Sequence, residues 1–203
     1  MAETSKQPGR TRALNLYSLD AGHEARLVDM PGFGYARTSK ETRSAFADLV
    51  NGYLQSRDCL SGLVMVLDIR RVADGGATPV RDAEMTVLEW ISSTETPLHI
   101  LLNKADKLRG PDEAAAALET LATLCAAQWG SADRMRGLVS AQTFSSKTRE
   151  GVDVAEAAIF DMFADGGVDL STRTRGAGRE APASSPRARR RPKAKKAKRG
   201  KQR

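Results

Sequence analysis

The segment "LLNKADKL" carries an apolar run into Asn103, Lys104, Ala105 and Asp106. Guanine presents two neighbouring N–H donors on one edge, and one carboxylate accepts both. Asp106 is a group of that type, and the aliphatic stem of Lys104 suits the flat face of a base. Further along, "TFSSKTREG" also follows an apolar run, with Phe144, Ser145, Ser146 and Lys147 at its turn. A backbone N–H at Ser146 suits guanine O6, an acceptor, with Lys147 as a second cover. Taken singly, the first segment reads equally as a surface loop, and the second as a helix N-cap, where Ser and Thr are favoured. As an ordered pair, each after a strand, they read as two halves of one purine pocket.

"RLVDMPGFGYA" leaves its apolar run at Asp29 and turns through Met30, Pro31 and Gly32. A carboxylate at a strand end can hold Mg²⁺ through water, and glycine lets a backbone N–H approach a terminal phosphate closely. A plain Pro-Gly turn is the ordinary alternative. Upstream, "KQPGRTRA" forms a polar loop containing Gly9, Arg10, Thr11, Arg12 and Ala13, with the Thr11 hydroxyl a candidate Mg²⁺ ligand.

The elements that must position these groups alternate in type. Residues 13–19 and 25–30 are apolar runs separated by the turn cluster "DAGHE", which predicts an antiparallel hairpin. Phe46, Leu49, Val50, Tyr53 and Leu54 share one helical face. The continuous apolar run at 62–69 predicts a strand covered on both faces. A helix near 80–92, a strand at 97–103 and an Ala-rich helix near 111–128 follow, the last with Pro111 in its first turn. A strand and its loop at 137–146 and a closing helix at 152–163 complete the order, which means an α/β fold with a mostly parallel sheet.

The finer wording narrows this. "TSKQPGRTRALNLY", "LVDMPGFGYA", "LDIR", "LLNKADKL" and "TFSSKTREGVD" resemble the YihA/EngB family of ribosome-biogenesis GTPases, a Ras-like (TRAFAC) group. The resemblance covers residues 4–163 and implies a three-layer P-loop GTPase fold. It implies GTP or GDP as ligand and Mg²⁺ as cofactor, with GTP hydrolysis as the activity. It further implies a role as a switch in large ribosomal subunit assembly, linked to division septum formation. Carried onto this chain, the nucleotide-binding positions are Gly9, Arg10, Thr11, Arg12, Ala13, Asp29, Met30, Pro31, Gly32, Asn103, Lys104, Ala105, Asp106, Phe144, Ser145 and Ser146. Thr11 would ligate Mg²⁺ directly and Asp29 through water.

The chain departs from the family pattern in one large respect. No G-x-x-x-x-G-K-[ST] occurs in it, and its Gly200-Lys201 pair lies in a basic tail. The loop that wraps a phosphate in backbone N–H groups is therefore lacking, together with the first strand and first helix of the fold. The expectation is an N-terminally incomplete chain with unpaired inner sheet edges, the alternative being a pseudo-GTPase. Gln7 stands where the family has Thr, and "RRVADGGATPVRDAEM" is a few residues longer than typical. Phe33 occupies the place of the water-orienting Gln of Ras-like enzymes, so no catalytic residue is assigned and hydrolysis is expected to be slow without a partner.

Charge divides the chain. Of 203 residues, 32 are Lys or Arg and 25 are Asp or Glu, a net of +7. Fourteen of the cations and one acid, Glu180, fall within residues 171–203. Residues 1–165 are expected to form the GTPase domain and 166–203 a disordered basic tail. The tail lacks interleaved aromatics, which suits phosphate neutralisation in rRNA; a solubilising or targeting tail is the alternative. A nucleotide-independent RNA-binding or scaffold protein using only that tail is the competing functional class.

Cys59 and Cys125 stand alone and are expected to be buried thiols. His23 and His99 have no partners at metal-ligand spacing and read as structural, while Trp90 and Trp129 read as packing residues. "GFG" lacks the spacing of a dinucleotide fingerprint. No apolar run approaches the ~18–20 residues that cross a bilayer. The chain is expected to be a cytoplasmic monomer, with a mitochondrion or plastid as the alternative location.

Overall fold

A computed structural model of the chain describes residues 14–19, 25–30, 52–54, 56, 59–73, 80, 82–168 and 170, the side chains of 82 and 83 excepted. The sequence expectations for Gly9 to Ala13, His23, Pro31, Gly32, Phe33, the 171–203 tail and most of the helix bearing Phe46 lie outside these residues.

Strands β1 (Asn15–Ser18) and β2 (Arg26–Asp29) form the expected antiparallel hairpin, with Asn15 opposite Asp29. The Leu19 N–H donates to the Ala25 carbonyl at 2.9 Å and closes the turn. A second sheet has the order β3 (Leu63–Asp68), β4 (Leu98–Asn103), β5 (Val139–Thr143), all parallel. Parallel neighbours need crossovers. Helices α1 (Ile69–Ala73) and α2 (Asp82–Thr94) supply the first, and α3 (Pro111–Trp129) with the short α4 (Ala132–Met135) the second. Helix α5 (Val152–Asp165) follows β5. The two sheets are separate, and no described strand lies between β2 and β3.

β4 is the centre of the core. Leu98, Ile100 and Leu102 are completely buried and pack with Met65, Leu67, Leu88, Ile91, Leu121 and Trp129. Each fully buried aliphatic side chain contributes about 1.5–3 kcal/mol. α3 meets that layer with Ala117, Leu121, Cys125 and Trp129, one residue per helical turn. Its start is fixed by Pro111 at the first helical position and by Glu113, whose carboxylate accepts the Arg109 N–H at 2.9 Å. Its end is fixed by Gly130 in the left-handed conformation, φ 74°. Side chains alternate across a strand, so His99 and Leu101 face the second side of the sheet, where α5 contacts β4. The approach is close at Gly62, where a Cβ would lie 2.5 Å from Met162 Sδ.

Two expectations are corrected. β3 is not covered on both faces: Val66 is 57% exposed, because no described element lies over it. Cys59 is exposed, since it lies in the segment before β3 and outside the core, whereas Cys125 is buried in α3. Burial pushes the Cys125 thiol up to about 11. α5 is capped by the Val168 N–H donating to the Phe163 carbonyl at 2.8 Å, and Leu170 beyond it is buried.

Candidate functional site

Two loops meet at the carboxyl end of the three-stranded sheet. The first leaves β4 at Asn103, passes Lys104 in the left-handed region (φ 71°, ψ 32°) and forms one 3₁₀ turn over Ala105–Lys107. The second leaves β5 at Thr143 and runs to Gly151, the left-handed residue that starts α5. β4 and β5 are adjacent and parallel, with Leu102 paired to Thr143, so both loops emerge side by side.

Backbone hydrogen bonds join them. Phe144 N–H donates to the Leu102 carbonyl at 2.9 Å, and Ala105 N–H to the Phe144 carbonyl at 3.0 Å. Asn103 Oδ1 accepts from its neighbour Lys104 N–H at 2.8 Å and from Ser146 N–H at 3.1 Å. Its side chain therefore ties the second loop to the first. Ser145 is fully buried, its hydroxyl donating to Asp106 Oδ1 at 2.9 Å and accepting from Thr148 N–H at 3.1 Å.

Asp106 is consequently held in place. Its Oδ2 is buried and accepts no directed hydrogen bond. Lys107 Nζ at 3.3 Å and Lys147 Nζ at 3.9 Å approach that oxygen as ion pairs instead. The Ser145 hydroxyl, and then the ammonium groups of Lys107 and Lys147, lower the Asp106 pKa below the ordinary aspartate value against the opposing effect of desolvation. The group is an ionised acceptor at neutral pH.

A polar relay supports the second loop from below. Gln142 Nε2 donates to the Gly151 carbonyl at 2.7 Å and to the Thr143 carbonyl at 3.3 Å. Its Oε1 must then be an acceptor, so His99 Nε2, 2.9 Å away, is the donor. The other ring nitrogen of buried His99 lies 2.7 Å from Ser140 Oγ. His99 is structural, as its sequence context predicts. Asp68 was given no role by sequence reasoning, although it ends β3 in register with Asn103. Its carboxylate reaches Lys104 Nζ at 2.7 Å and the guanidinium of Arg70. The usable signal was that register: an acid at the end of the neighbouring strand.

Asn103, Lys104, Ala105, Asp106, Phe144, Ser145 and Ser146 are thus brought together. Asp29 and Met30 lie at the end of β2, where Asn15 Nδ2 donates to Asp29 Oδ2 at 3.3 Å. That bond leaves the second carboxylate oxygen as a candidate acceptor for a metal-bound water. Among the described residues no cluster of three His, Cys, Asp or Glu is arranged to hold a metal by itself. A cleft of about 300 Å³ lined by Leu108, Pro111, Thr143 and Glu150 adjoins the site through Ala105, but Asn103, Asp106, Ser145 and Ser146 do not line it.

Comparison with known proteins places the chain in a family. The family model described as "50S ribosome-binding GTPase" matches residues 1–104. A "Probable GTP-binding protein EngB" of Dechloromonas aromatica (strain RCB) is 41% identical over 159 residues, covering 78% of this chain and 66% of that protein. The chain belongs to the EngB family. Another EngB protein, from Coxiella burnetii, is 38% identical over 163 residues, covering 80% of this chain and 71% of its own length. This EngB-family chain therefore spans about two thirds of the length of these relatives.

Solved structures agree on the fold. A crystal structure of a probable GTP-binding protein engB matches with a TM-score of 0.58 at 17% identity, over 79% of this chain and 87% of that one. A point variant of Aquifex aeolicus Era, solved bound to GDP.AlF4-, matches with a TM-score of 0.51 at 17% identity, over 85% of this chain and 48% of that one. The fold is that of a Ras-like P-loop GTPase, α/β with a parallel sheet.

Proposed function

We propose that the chain binds guanine nucleotide through the 103–106 and 144–146 loops and serves as an EngB-type switch in large ribosomal subunit assembly. The observation that carries the reading is Asp106. Its carboxylate is ionised and oriented by Ser145, and its buried Oδ2 accepts no hydrogen bond. Lys107 and Lys147 meet that oxygen only as ion pairs, and the paired N1 and N2 donors of guanine would add the directed hydrogen bonds it lacks. Adenine presents no such pair. Asn103, with Oδ1 committed to Lys104 and Ser146, keeps its amide N–H groups for the N7 acceptor of the purine.

Mg²⁺ belongs to the same proposal, held by Asp29 through water and by Thr11, where it would neutralise the charge of the β- and γ-phosphates. Phe33 offers no hydrogen bond to an attacking water, so hydrolysis requires a group supplied by a partner. The family description and the fourteen cations of residues 171–203 support a ribosomal partner, with the tail neutralising rRNA phosphates. A cytoplasmic location and a link to septum formation rest on the family resemblance.

Titration of the 203-residue chain with a fluorescent GDP analogue tests the reading. Displacement by GTP and not by ATP is the expected result. Because no G-x-x-x-x-G-K-[ST] occurs in the chain, most affinity comes from the base, and GMP competes nearly as well as GTP. A second reading, supported by the fourteen cations of residues 171–203, is a nucleotide-independent RNA-binding protein. No guanine binding, with RNA binding that falls steeply with salt and vanishes when residues 171–203 are deleted, selects it.

A further inference from the structure

Asp68 is the last residue of β3 and pairs in register with Asn103, so its carboxylate stands beside the start of the 103–106 loop. Both of its oxygens are engaged. Oδ1 accepts the backbone N–H of Arg70 at 3.2 Å and its Nε at 2.9 Å. Oδ2 accepts Arg70 Nη2 at 2.6 Å and Lys104 Nζ at 2.7 Å. The two-pronged guanidinium contact fixes the plane of the carboxylate, as such forks do. Asp68 is 19% exposed at its side chain, against 49% for Arg70 and 48% for Lys104, so the anion sits inward and its cations lie across it.

We infer that Asp68, oriented by Arg70, is a positioning residue that fixes the Lys104 side chain across the carboxyl ends of β3 and β4 as a preformed platform for the base. The inference rests on the guanine reading above and adds to it a residue outside both loops. An exposed lysine samples many rotamers, and a ligand that must collect one of them loses affinity in doing so. With its ammonium tethered at Asp68, the lysine stem already lies flat when the ligand arrives. Ordinary surface ion pairs contribute little to stability. The tether accordingly acts on ligand affinity more than on folding.

The test uses the 203-residue chain and Asp68→Asn, which keeps size and an acceptor for Arg70 but removes the charge. Two measurements are made: affinity for a fluorescent GDP analogue, and the acylation rate of Lys104 relative to Lys107, read by mass spectrometry. In the variant, GDP affinity is expected to fall roughly 3- to 10-fold, and Lys104 to be labelled several-fold faster while Lys107 is unchanged. A purely structural role for Asp68 lowers the thermal midpoint without changing the Lys104-to-Lys107 labelling ratio, and that outcome overturns the inference. GDP binding by the variant as tight as by the parent overturns it and leaves the guanine reading standing. Failure of the parent itself to bind GDP overturns both. Arg70→Gln, a change at an exposed position, replaces Asp68→Asn if that variant is unstable and is expected to move both readouts in the same direction by less.

Discussion

Ser145 Oγ lies 2.9 Å from Asp106 Oδ1, so a fully buried hydroxyl from one loop orients the carboxylate of another 39 residues away in sequence. The same bond is the first cause of the lowered Asp106 pKa. A carboxylate with a depressed folded pKa stabilises the docked loops above the unfolded value of ~3.9 and loses that contribution as pH falls through the lowered folded value. Ser145→Ala raises the folded pKa toward the ordinary one. The acid limb of guanine nucleotide binding is therefore expected to move to higher pH in the variant, which fluorescence titrations between about pH 2 and 5 will measure. An unmoved limb assigns the lowered pKa to the lysines instead.

Asp106→Asn exchanges one acceptor oxygen for an N–H donor. Against guanine this places donor against donor, and binding is expected to weaken by at least about 100-fold, in keeping with the roughly 10⁴–10⁵ discrimination that built hydrogen-bonding sites achieve. Xanthine carries a carbonyl at the corresponding ring position and accepts from the new amide. Competition of fluorescent GDP with xanthosine diphosphate, before and after the substitution, reads the inversion.

Gly151 joins the second loop to α5 with φ 76°. A Cβ there would lie 2.6 Å from Gln142 Nε2 and 2.7 Å from the Thr143 carbonyl. Gly151→Ala is expected to cost at least about 1–2 kcal/mol from the left-handed backbone alone. It also pushes Gln142 off His99 and off the Gly151 carbonyl. Urea unfolding measures the first effect, and guanine affinity falls with the second.

Trp129 is buried, and its indole Nε1–H finds no acceptor. Leu121→Ala, in the same core, is expected to cost about 2–5 kcal/mol as an ordinary cavity. Trp129→Phe removes an unsatisfied donor along with volume, so its cost is expected to be smaller, about 1–2 kcal/mol. Equal losses in urea unfolding would show that the indole nitrogen carries no penalty.

Much of this was legible because long apolar runs and turn residues agree with each other. Pro111 at the start and Gly130 after the end bracket α3 as their chemistry requires, and β4 is an apolar run interrupted only by His99 and ending at Asn103. The junction between β3 and α1 was not legible. The apolar run continues through Ile69 into a helix whose buried residues are Ile69 and Val72, and an apolar residue at such a junction does not record which element it belongs to. Exposure of Val66 was equally hidden, since a strand's own residues do not record whether a neighbouring element covers them. At the site, the residue types of Asn103, Asp106, Ser145 and Ser146 pointed to one pocket, because a recognition edge demands them. Gln142 and His99 support the second loop from within their strands, and nothing in their local spacing distinguishes them from ordinary strand residues; Asp68, which meets Lys104, was marked only by its place at the end of β3.

Lys104 adopts a backbone geometry that glycine or asparagine would occupy with less strain. A sequence selected for heat resistance alone would drift toward glycine here, and the protein would shed backbone strain while forfeiting the side chain that meets Asp68. On the proposed reading the kinked lysine is a compromise between backbone ease and ligand capture, and laboratory evolution under thermal pressure is expected to replace it.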